Sequence, residues 1–484
     1  MKITELAKYK FEPRFIDLWK NDGHGELLPI QEQAIKKGKV LDGQHVVVSS
    51  PTSSGKTFIG ELAAVRAASL GKRAIYLVPQ KALAEEKFHE FQRKYKGFGL
   101  RTVISTRDRK QYDRDICRGR FHIAVVVFEK MQALMVACPG MLQNVGLVII
   151  DELQVMGDAT RGPGLEILLS KIKLAAGSPQ IIGLSAVLGN DQSLADWLGA
   201  KLCKIEARPI ELRKGVLWNG SFRFTEYNSG NHGVETFPIR LGRFSREQVT
   251  VDQTKSWAEA GEPTLIFCRA KKECIDMAHA IAKGINTPAA SGALSDLASL
   301  EDSEGKDLLA VLLAKGVAYH NSDLDWDQRD LIERWFKAGE IKVICATSTL
   351  AMGINFPAKN VIIEPSRWSR DASDQWITVD ISQAEYENMC GRAGRLGMQE
   401  DFGRAVIVAP SDFDQSALFT RFVEGDLGDL KPTLDNVPLA QHALNLVASK
   451  LCKTEEEIHQ ILLTSYTGEQ LWKGGDREKK FTAD

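Results

Sequence analysis

The segment formed by residues 46–57 constrains the fold more than any other part of the chain. It reads Val-Val-Val-Ser-Ser-Pro-Thr-Ser-Ser-Gly-Lys-Thr. The β-branched apolar run predicts a buried strand, and residues 58–69 carry apolar side chains at helical spacing. A strand, a loop of small residues ending in Gly-Lys-Thr and a helix together predict a phosphate-binding loop within an α/β fold.

The predicted loop offers several kinds of phosphate ligand. Its backbone N–H groups and the helix N-terminus carry partial positive charge. Lys56 adds a full cation, and the Thr57 hydroxyl can bind Mg²⁺. We expect the nucleotide contacts to come from Ser53, Ser54, Gly55, Lys56 and Thr57. Ser50 stands where the usual pattern has its first glycine, so a turn that only caps a helix stays open as an alternative for this segment alone.

Two carboxylates follow a second apolar run. Residues 145–150 predict a buried strand that ends in Asp151 and Glu152. Burying unpaired charge is costly, and a Mg²⁺ ion held jointly with Thr57 would account for Asp151. Glu152 would then act as general base on the attacking water, a role that contributes about 10²–10⁴ in rate. Strands that alternate with helices and end in functional residues predict a parallel α/β sheet.

Other polar features of the first half leave alternatives open. Gln31 precedes the phosphate loop, and its amide can both donate to and accept from an adenine edge. A Gln after a proline turn can equally be a solvated residue. Residues 101–120 are rich in Arg and Lys, which suits either a solvated face or the wall of a basic groove.

Composition limits the classes of partner and compartment. The chain has 484 residues and a net charge of −1, so any nucleic-acid surface must be local. Its eight cysteines are scattered without a Cys-x-x-Cys pair, which predicts reduced thiols in a cytoplasmic protein. No apolar run has the length of a membrane span, and the N-terminus lacks the apolar region of a signal peptide.

The strand–helix rhythm restarts in the second half, after a crossover in residues 206–260 with a predicted loop at 227–233. Further along, Arg392 and Arg395 are predicted to lie three residues apart on one helix face. Guanidinium groups are permanently charged and bind phosphate as a fork. Arginine fingers of this kind contribute about 10³–10⁵ in rate. A surface helix with salt bridges is the alternative for this motif alone.

The order of these motifs resembles a known family. They include residues 51–57, 78–87 (Val-Pro-Gln-Lys-Ala-Leu-Ala-Glu-Glu-Lys), 161–168, and 346–355 (Ala-Thr-Ser-Thr-Leu-Ala-Met-Gly-Ile-Asn). From about residue 27 to about residue 471 the chain resembles a superfamily-two DExH helicase of the Ski type, in particular the archaeal and eukaryotic repair helicases of that group.

The resemblance implies two RecA-like parallel-sheet domains in tandem, with ATP in the cleft between them. A partial winged-helix domain, mainly α, would follow. We therefore expect an ATP-binding domain over residues 1–208, a second RecA-like domain over 209–428 and a winged-helix-like region over 429–484. The helical ratchet domain expected next is absent from the sequence. Either the chain is a piece of a longer protein or a partner chain supplies the missing part.

The resemblance also implies roles for individual residues. ATP and Mg²⁺ are the expected cofactors, with Gln31 on adenine, Lys56 and Thr57 on phosphate and metal, and Asp151 and Glu152 as the Walker B pair. Gly353, Arg392 and Arg395 would complete the nucleotide contacts from the second domain. The nucleic-acid backbone would be held by motifs that contain Pro79, Lys81, Glu129, Lys130, Thr347 and Thr349. Ser185 falls in the motif that couples the two sites.

These expectations lead to two candidate functions. The first is an ATP-dependent helicase that translocates 3′→5′ on single strands and couples hydrolysis to strand separation. Its expected partner is single-stranded or forked nucleic acid, DNA in preference to RNA. The alternative is an ATP-switched clamp, or the motor subunit of a larger defence or repair complex, without processive unwinding. Neither involves a membrane. Three departures from the family pattern put coupling in doubt rather than hydrolysis: Gln154 replaces His, Val187 replaces Thr, and Asn388 replaces Gln.

Residues 365–381 predict a strand-separating β-hairpin by the same resemblance. Its flanking strands would carry Trp368, Trp376, Ile377 and Val379. An exposed tryptophan there can stack on an unpaired base. The alternative is that both tryptophans belong to the core, since Trp is often largely buried.

Overall fold

The computed structural model describes residues 1–238, 245–347, 358–370, 375–394, 402–425 and 428–473. The chain divides into two compact units. Unit 1 comprises Met1–Glu206 and Leu427–Asp484, and unit 2 comprises Ala207–Asp426.

Unit 1 is built on a seven-stranded sheet in the order β3-β4-β2-β5-β6-β1-β7, with parallel pairing throughout. Its strands are β1 (Val46–Ser49), β2 (Arg73–Val78), β3 (Thr102–Ser105), β4 (Ile123–Val127), β5 (Val145–Ile150), β6 (Gln180–Ser185) and β7 (Lys201–Lys204). Helices cover both faces of such a sheet, so its central strands read as continuous apolar runs. The predicted parallel α/β domain is confirmed.

The helices of unit 1 alternate with these strands. They are α1 (Pro13–Asn21), α2 (Pro29–Lys36), α3 (Lys56–Ser69), α4 (Lys81–Tyr95), α5 (Asp113–Cys117), α6 (Phe128–Ala137), α7 (Gly162–Lys173) and α8 (Asp191–Trp197). The strand–loop–helix predicted around the phosphate loop is confirmed, because β1 leads through the loop directly into α3.

Unit 2 contains a second large sheet, in the order β10-β9-β8-β17-β14-β11-β13-β12. Its strands are β8 (Glu211–Trp218), β9 (Ser221–Glu226), β10 (His232–Thr236), β11 (Thr264–Cys268), β12 (Val317–His320), β13 (Val343–Thr347), β14 (Asn360–Ile363) and β17 (Phe402–Val408). The six strands from β8 to β12 in this order pair in parallel, whereas β9 runs antiparallel to β8 and β10. This sheet confirms the second RecA-like domain.

The remaining elements of unit 2 are a two-stranded hairpin and seven helices among its described residues. The hairpin pairs β15 (Ser366–Arg370) with β16 (Trp376–Asp380). The helices are α9 (Arg246–Glu259), α10 (Lys271–Ala282), α11 (Ser291–Ala298), α12 (Glu304–Leu313), α13 (Trp326–Lys337), α14 (Gln383–Cys390) and α15 (Asp412–Leu418).

The crossover prediction was too simple. Residues 211–236 form three strands that join the second sheet, and the predicted loop at 227–233 ends earlier because His232 and Gly233 belong to β10. Asn219 (φ 47°) and Gly220 (φ 75°) form the two-residue turn between β8 and β9. Asn-Gly is a strong hairpin signal, because both residues tolerate positive φ.

The C-terminal region is helical, with α16 (Ala440–Ala448) and α17 (Glu455–Leu463), and it packs within unit 1. Two buried side chains of α7 anchor it. Glu166 accepts hydrogen bonds from the Thr467 backbone N–H (2.6 Å) and hydroxyl (2.8 Å). The Lys171 ammonium donates to the Ser449 hydroxyl (2.6 Å) and the Asn445 carbonyl (3.2 Å). The three-part division into 1–208, 209–428 and 429–484 stays a prediction.

The cysteines depart from the expectation of eight reduced thiols. Cys117, the last residue of α5, forms a disulfide with Cys138, the residue after α6. The two residues are only 21 positions apart, but their pairing depends on how α5 packs beside α6, which spacing alone does not reveal. The other six cysteines are buried and free. None of the helices among the described residues combines the length and the apolar character that a membrane span requires.

Candidate nucleotide site and nucleic-acid surface

The phosphate loop joins β1 to α3 and depends on Gly55. This residue has φ 86°, and a Cβ at its position would lie 2.4 Å from the Gln31 Nε2 atom. Only glycine adopts such a conformation at little cost, and here only glycine leaves room for the neighbouring side chain. The loop therefore places Lys56 and Thr57 on the first turn of α3, which begins two residues earlier than the helix predicted from residue 58.

Serine hydroxyls hold the loop in shape. The Ser50 and Ser54 hydroxyls lie 2.7 Å apart, and the Ser54 hydroxyl also donates to the Pro51 carbonyl at 2.7 Å. Ser50 therefore contributes a hydrogen bond where the usual pattern has glycine. The Lys56 ammonium donates to the carbonyls of Ser50 and Pro51, the latter at 3.0 Å, so its charge lies at the loop.

Gln31 braces the same loop from α2. Its Oε1 accepts from the Leu28 backbone N–H at 2.9 Å, and its Nε2 donates to the Gly55 carbonyl at 3.0 Å. The side chain is only 2% exposed, which excludes the solvated alternative. The structure places Gln31 beside the nucleotide loop, and its contact with adenine stays a prediction.

Asp151 lies at the C-terminal end of β5 and is buried. Its Oδ2 accepts from the Tyr76 hydroxyl at 3.0 Å, and its Oδ1 accepts from the Glu152 backbone N–H at 3.1 Å. Burial raises the pKa of Asp151, while the ammonium groups of Lys87 and Lys56 and the Tyr76 hydroxyl act in the opposite sense. A bound cation would stabilise the ionised form of this buried carboxylate.

The side chains at this site fit a nucleotide with Mg²⁺. Loop N–H groups and Lys56 match phosphate oxygens, and the Thr57 hydroxyl and Asp151 carboxylate are the oxygen ligands that Mg²⁺ prefers. No group of three or more His, Cys, Asp or Glu side chains among the described residues could hold a metal by itself. Mg²⁺ is usually bound by one or two carboxylates together with substrate phosphates, so such a group is not required.

Gln154 links Glu152 to the end of a neighbouring strand. Its Nε2 donates to the Glu152 carboxylate. Its Oε1 accepts from the Ala186 backbone N–H at 3.0 Å and from the Ser185 hydroxyl at 3.3 Å. The amide thus connects the proposed general base to the segment after β6. Gln154 stands where the family usually has His. Its amide forms a hydrogen-bonded bridge and, unlike an imidazole, does not titrate.

Two of the predicted nucleic-acid contacts of unit 1, Pro79 and Glu129, are joined by Arg161, a residue for which the sequence predicts no role. Its guanidinium donates to the Pro79 carbonyl and to the Glu129 carboxylate at 3.0 Å. Two other predicted contacts also form ion pairs, Lys130 with Asp113 at 2.6 Å and Lys81 with Asp108. Arg161 therefore brings the segments after β2 and β4 together. Its place in the 161–168 motif was the available signal.

The arginine motif of unit 2 differs from its prediction. Helix α14 ends at Cys390, so Arg392 lies in the turn beyond it and not on the predicted helix face. Gly391 is the C-cap residue of the helix, and beyond Arg392 the left-handed conformation of Gly394 (φ 62°) prevents the helix from continuing. Thr347 is the last residue of β13 and is buried. Thr349, Gly353 and Arg395 lie outside the described residues.

The predicted hairpin is confirmed as a structure. In β15 and β16, Trp368 pairs with Thr378 and Arg370 pairs with Trp376. The two tryptophans are 41% and 63% exposed, respectively, so the alternative that places them in the core is wrong. Arginine guanidinium groups lie over both rings, Arg370 at 4.7 Å from the Trp376 centroid and Arg269 at 5.8 Å from that of Trp368. A base-stacking role stays a prediction.

Two family models match the chain. The DEAD/DEAH box helicase model matches residues 28–194, and the helicase conserved C-terminal domain model matches residues 247–397. The first range lies in unit 1 with the phosphate loop, and the second lies in unit 2. Together the two parallel sheets and the two matches define a helicase core of two RecA-like domains.

Relatives of similar sequence narrow this class to a family. The ATP-dependent DNA helicase Hel308 of Pyrobaculum calidifontis is 34% identical, over 95% of this chain and 62% of the relative. The same-named protein of Pyrococcus horikoshii is 35% identical, over 96% of this chain and 61% of the relative. The chain belongs to the superfamily-two helicases of the Ski type, as its motifs indicated. It spans about three fifths of the length of these curated relatives (62% and 61%).

Proposed function

We propose that this chain is a nucleic-acid-dependent ATPase that separates strands, moving 3′→5′ on single-stranded DNA. Its similarity to proteins named ATP-dependent DNA helicases supports ATP use and a DNA substrate. The observation that carries strand separation is the β15–β16 hairpin, which exposes Trp368 and Trp376 to solvent.

Residues of unit 1 would perform the hydrolysis. ATP bound with Mg²⁺ would supply the phosphoanhydride bond that is broken. The loop N–H groups and Lys56 bind the phosphates, and Thr57 and Asp151 hold the cation. Glu152 takes a proton from the attacking water, and Gln154 orients the Glu152 carboxylate for that step. Arg392 and Arg395 add positive charge at the transferred phosphate, by analogy with the family.

The nucleic-acid contacts would then respond to hydrolysis. Gln154 accepts from Ser185 and Ala186, so a change at Glu152 reaches the segment after β6. Motifs that contain Pro79, Lys81, Glu129 and Lys130 would hold the backbone on unit 1, and the motif that contains Thr347 and Thr349 would hold it on unit 2. Stacking of an unpaired base on an exposed tryptophan would stabilise separated strands by about 1–3 kcal/mol per base.

Steady-state ATPase assays with single-stranded DNA, single-stranded RNA or no nucleic acid test this proposal. We expect DNA to stimulate hydrolysis more than RNA does, and Lys56→Ala to lose hydrolysis while it remains folded. Strand displacement on duplexes with a 3′ or a 5′ tail tests polarity, and only the 3′-tailed duplex should be opened. Hydrolysis indifferent to nucleic acid would contradict the proposal. Stimulated hydrolysis without displacement would favour the ATP-switched clamp.

We further propose that the protein resides in the cytoplasm and binds a protein partner. The Cys117–Cys138 disulfide offers a direct check on location, because cytosolic thiols are normally kept reduced. Thiol trapping in intact cells should show both cysteines reduced if the protein resides in the cytoplasm.

A further inference from the structure

Tyr76 is a buried residue of β2 to which the proposed mechanism assigns no task. Its side chain is fully buried, and its hydroxyl donates to Asp151 Oδ2 at 3.0 Å. Buried tyrosine hydroxyls need a hydrogen-bond partner. Many partners would serve that need, but here the partner is the carboxylate assigned to the metal ion.

The contact fixes how the Asp151 carboxylate is turned. One oxygen accepts from Tyr76, and the other accepts from the Glu152 backbone N–H at 3.1 Å. An ionised carboxylate has about four lone-pair positions, so two donors on separate oxygens leave the others for a cation. With only the backbone donor, the carboxylate could rotate about its own bond.

The tyrosine ring is itself held in place. A Cβ added at Gly60 of α3 would lie 3.0 Å from Tyr76 Cε2 and 3.3 Å from Ile149 Cγ2. The ring therefore packs directly on the helix that begins with Lys56. The Phe91 ring of α4 also packs against the Tyr76 ring, with 5.8 Å between the ring centroids. These contacts keep the hydroxyl aimed at Asp151.

We propose that Tyr76 is a positioning residue for Asp151, whose hydroxyl holds the carboxylate in the orientation that binds Mg²⁺ with the nucleotide. The proposal rests on the nucleotide site proposed above and deepens it. In this role Tyr76 would act through Asp151 and not by contact with the nucleotide or the metal. The buried Lys87 adds charge to the same arrangement and is held by Glu90 at 2.6 Å.

Tyr76→Phe tests the proposal, because it removes one hydroxyl and leaves the ring. The matched control is Tyr95→Phe, which removes another buried tyrosine hydroxyl that donates to a buried carboxylate, Glu61. Binding of a non-hydrolysable ATP analogue is measured by calorimetry across a MgCl₂ titration and in EDTA. Thermal unfolding is recorded for each variant.

We expect Tyr76→Phe to bind the analogue in EDTA as the parent does, and to need about tenfold more Mg²⁺ for half-maximal tightening. Tyr95→Phe should keep the parental Mg²⁺ requirement even if its unfolding temperature falls. An unchanged Mg²⁺ requirement in folded Tyr76→Phe overturns the proposal. A parent protein that fails to bind the analogue overturns the nucleotide site instead, which separates the two failures.

Gly60→Ala is the second variant, which tests the same proposal if Tyr76→Phe does not fold. It retains the hydroxyl but pushes the ring, because the new methyl group would contact Tyr76 Cε2. We expect the Mg²⁺ requirement to rise in the same direction. Folded Gly60→Ala with the parental requirement would also overturn the proposal.

Discussion

Units 1 and 2 share a parallel-sheet architecture but use the ends of their strands differently. In unit 1 the strand ends carry polar side chains that bind one another, including Ser49 with Asp191 at 2.7 Å and Gln154 with Ser185. In unit 2 the chain that follows β14 instead forms a hairpin that exposes two tryptophans. The comparison shows that the residues after the strands, and not the sheets, determine what each unit can do.

The two arrangements should respond differently to substitution. A buried polar network depends on every member, because an unpaired group in a low-dielectric site is costly. Exposed rings act through stacking, which is additive and individually modest. Substitutions at the unit 1 strand ends should therefore impair hydrolysis, and those in the unit 2 hairpin should impair strand separation.

The largest effect is expected from Glu152→Gln in unit 1. Loss of the general base should lower ATP hydrolysis by about 10²–10⁴ while ATP binding persists. Radiolabelled ATP hydrolysis and filter binding measure the two quantities on the same sample. Equal loss of binding and hydrolysis would mean that Glu152 serves only the structure of the loop.

A smaller effect is expected from Trp376→Ala in unit 2. Loss of one stacking platform should weaken binding to forked DNA by about tenfold and leave the basal ATPase unchanged. Phe413→Ala is the control, because Phe413 is an exposed aromatic residue of the same unit, in α15. If both variants bind forked DNA equally well, the hairpin tryptophan does not contact bases.

Gln154→Leu should have an effect of several fold on coupling. The substitution keeps the size of the side chain but breaks the bridge from Glu152 to Ser185 and Ala186. We expect stimulation of the ATPase by single-stranded DNA to fall more than the basal rate. Gln180→Leu is the matched control, because Gln180 lies at the other end of β6 and donates hydrogen bonds to the Val40 and Gln44 carbonyls. Equal effects of both variants would reduce Gln154 to a packing role.

A last effect, on stability and not on activity, concerns pH and unit 2. Burial lowers the pKa of His320 to about 3, from an ordinary value of 6.5. Between these values the unfolded state binds more protons, so the free energy of unfolding should fall as the pH drops from about 6.5 towards 3. The slope is at most about 1.4 kcal/mol per pH unit. Denaturant unfolding of His320→Asn, monitored at unit 2, should show a shallower slope. If the parent and His320→Asn show the same slope of unfolding free energy against pH, His320 is not the source of the pH dependence.

Sequence predicted the elements whose signals are local. The β1–loop–α3 segment lies where expected, because an apolar run and a glycine identify it. The β15–β16 hairpin lies where the family resemblance placed it, between turn formers. The β8–β9 turn departs from the prediction of a simple connection, although Asn219 and Gly220 are a local signal for it. Arg392 was placed on a helix that Gly391 ends.

The least predictable parts of the site are contacts between distant segments. Tyr76 and Asp151 are 75 positions apart, and Arg161 and Pro79 are 82 apart. Both contacts exist only because β2 pairs with β5 and the loops after neighbouring strands meet at one sheet edge. From sequence, a tyrosine within an apolar strand is indistinguishable from an ordinary core residue, because its hydrogen-bond partner is not apparent.

Strand separation by the unit 2 hairpin, powered by hydrolysis in unit 1, is most directly tested by removing residues 369–374. ATP hydrolysis and displacement of a forked DNA duplex should be measured in the same reaction, for the parent and for the deletion variant. We predict that the variant keeps its DNA-stimulated hydrolysis within about twofold of the parent, because the unit 1 network is intact, and loses displacement. Displacement at the parental rate would contradict the assignment of strand separation to the hairpin.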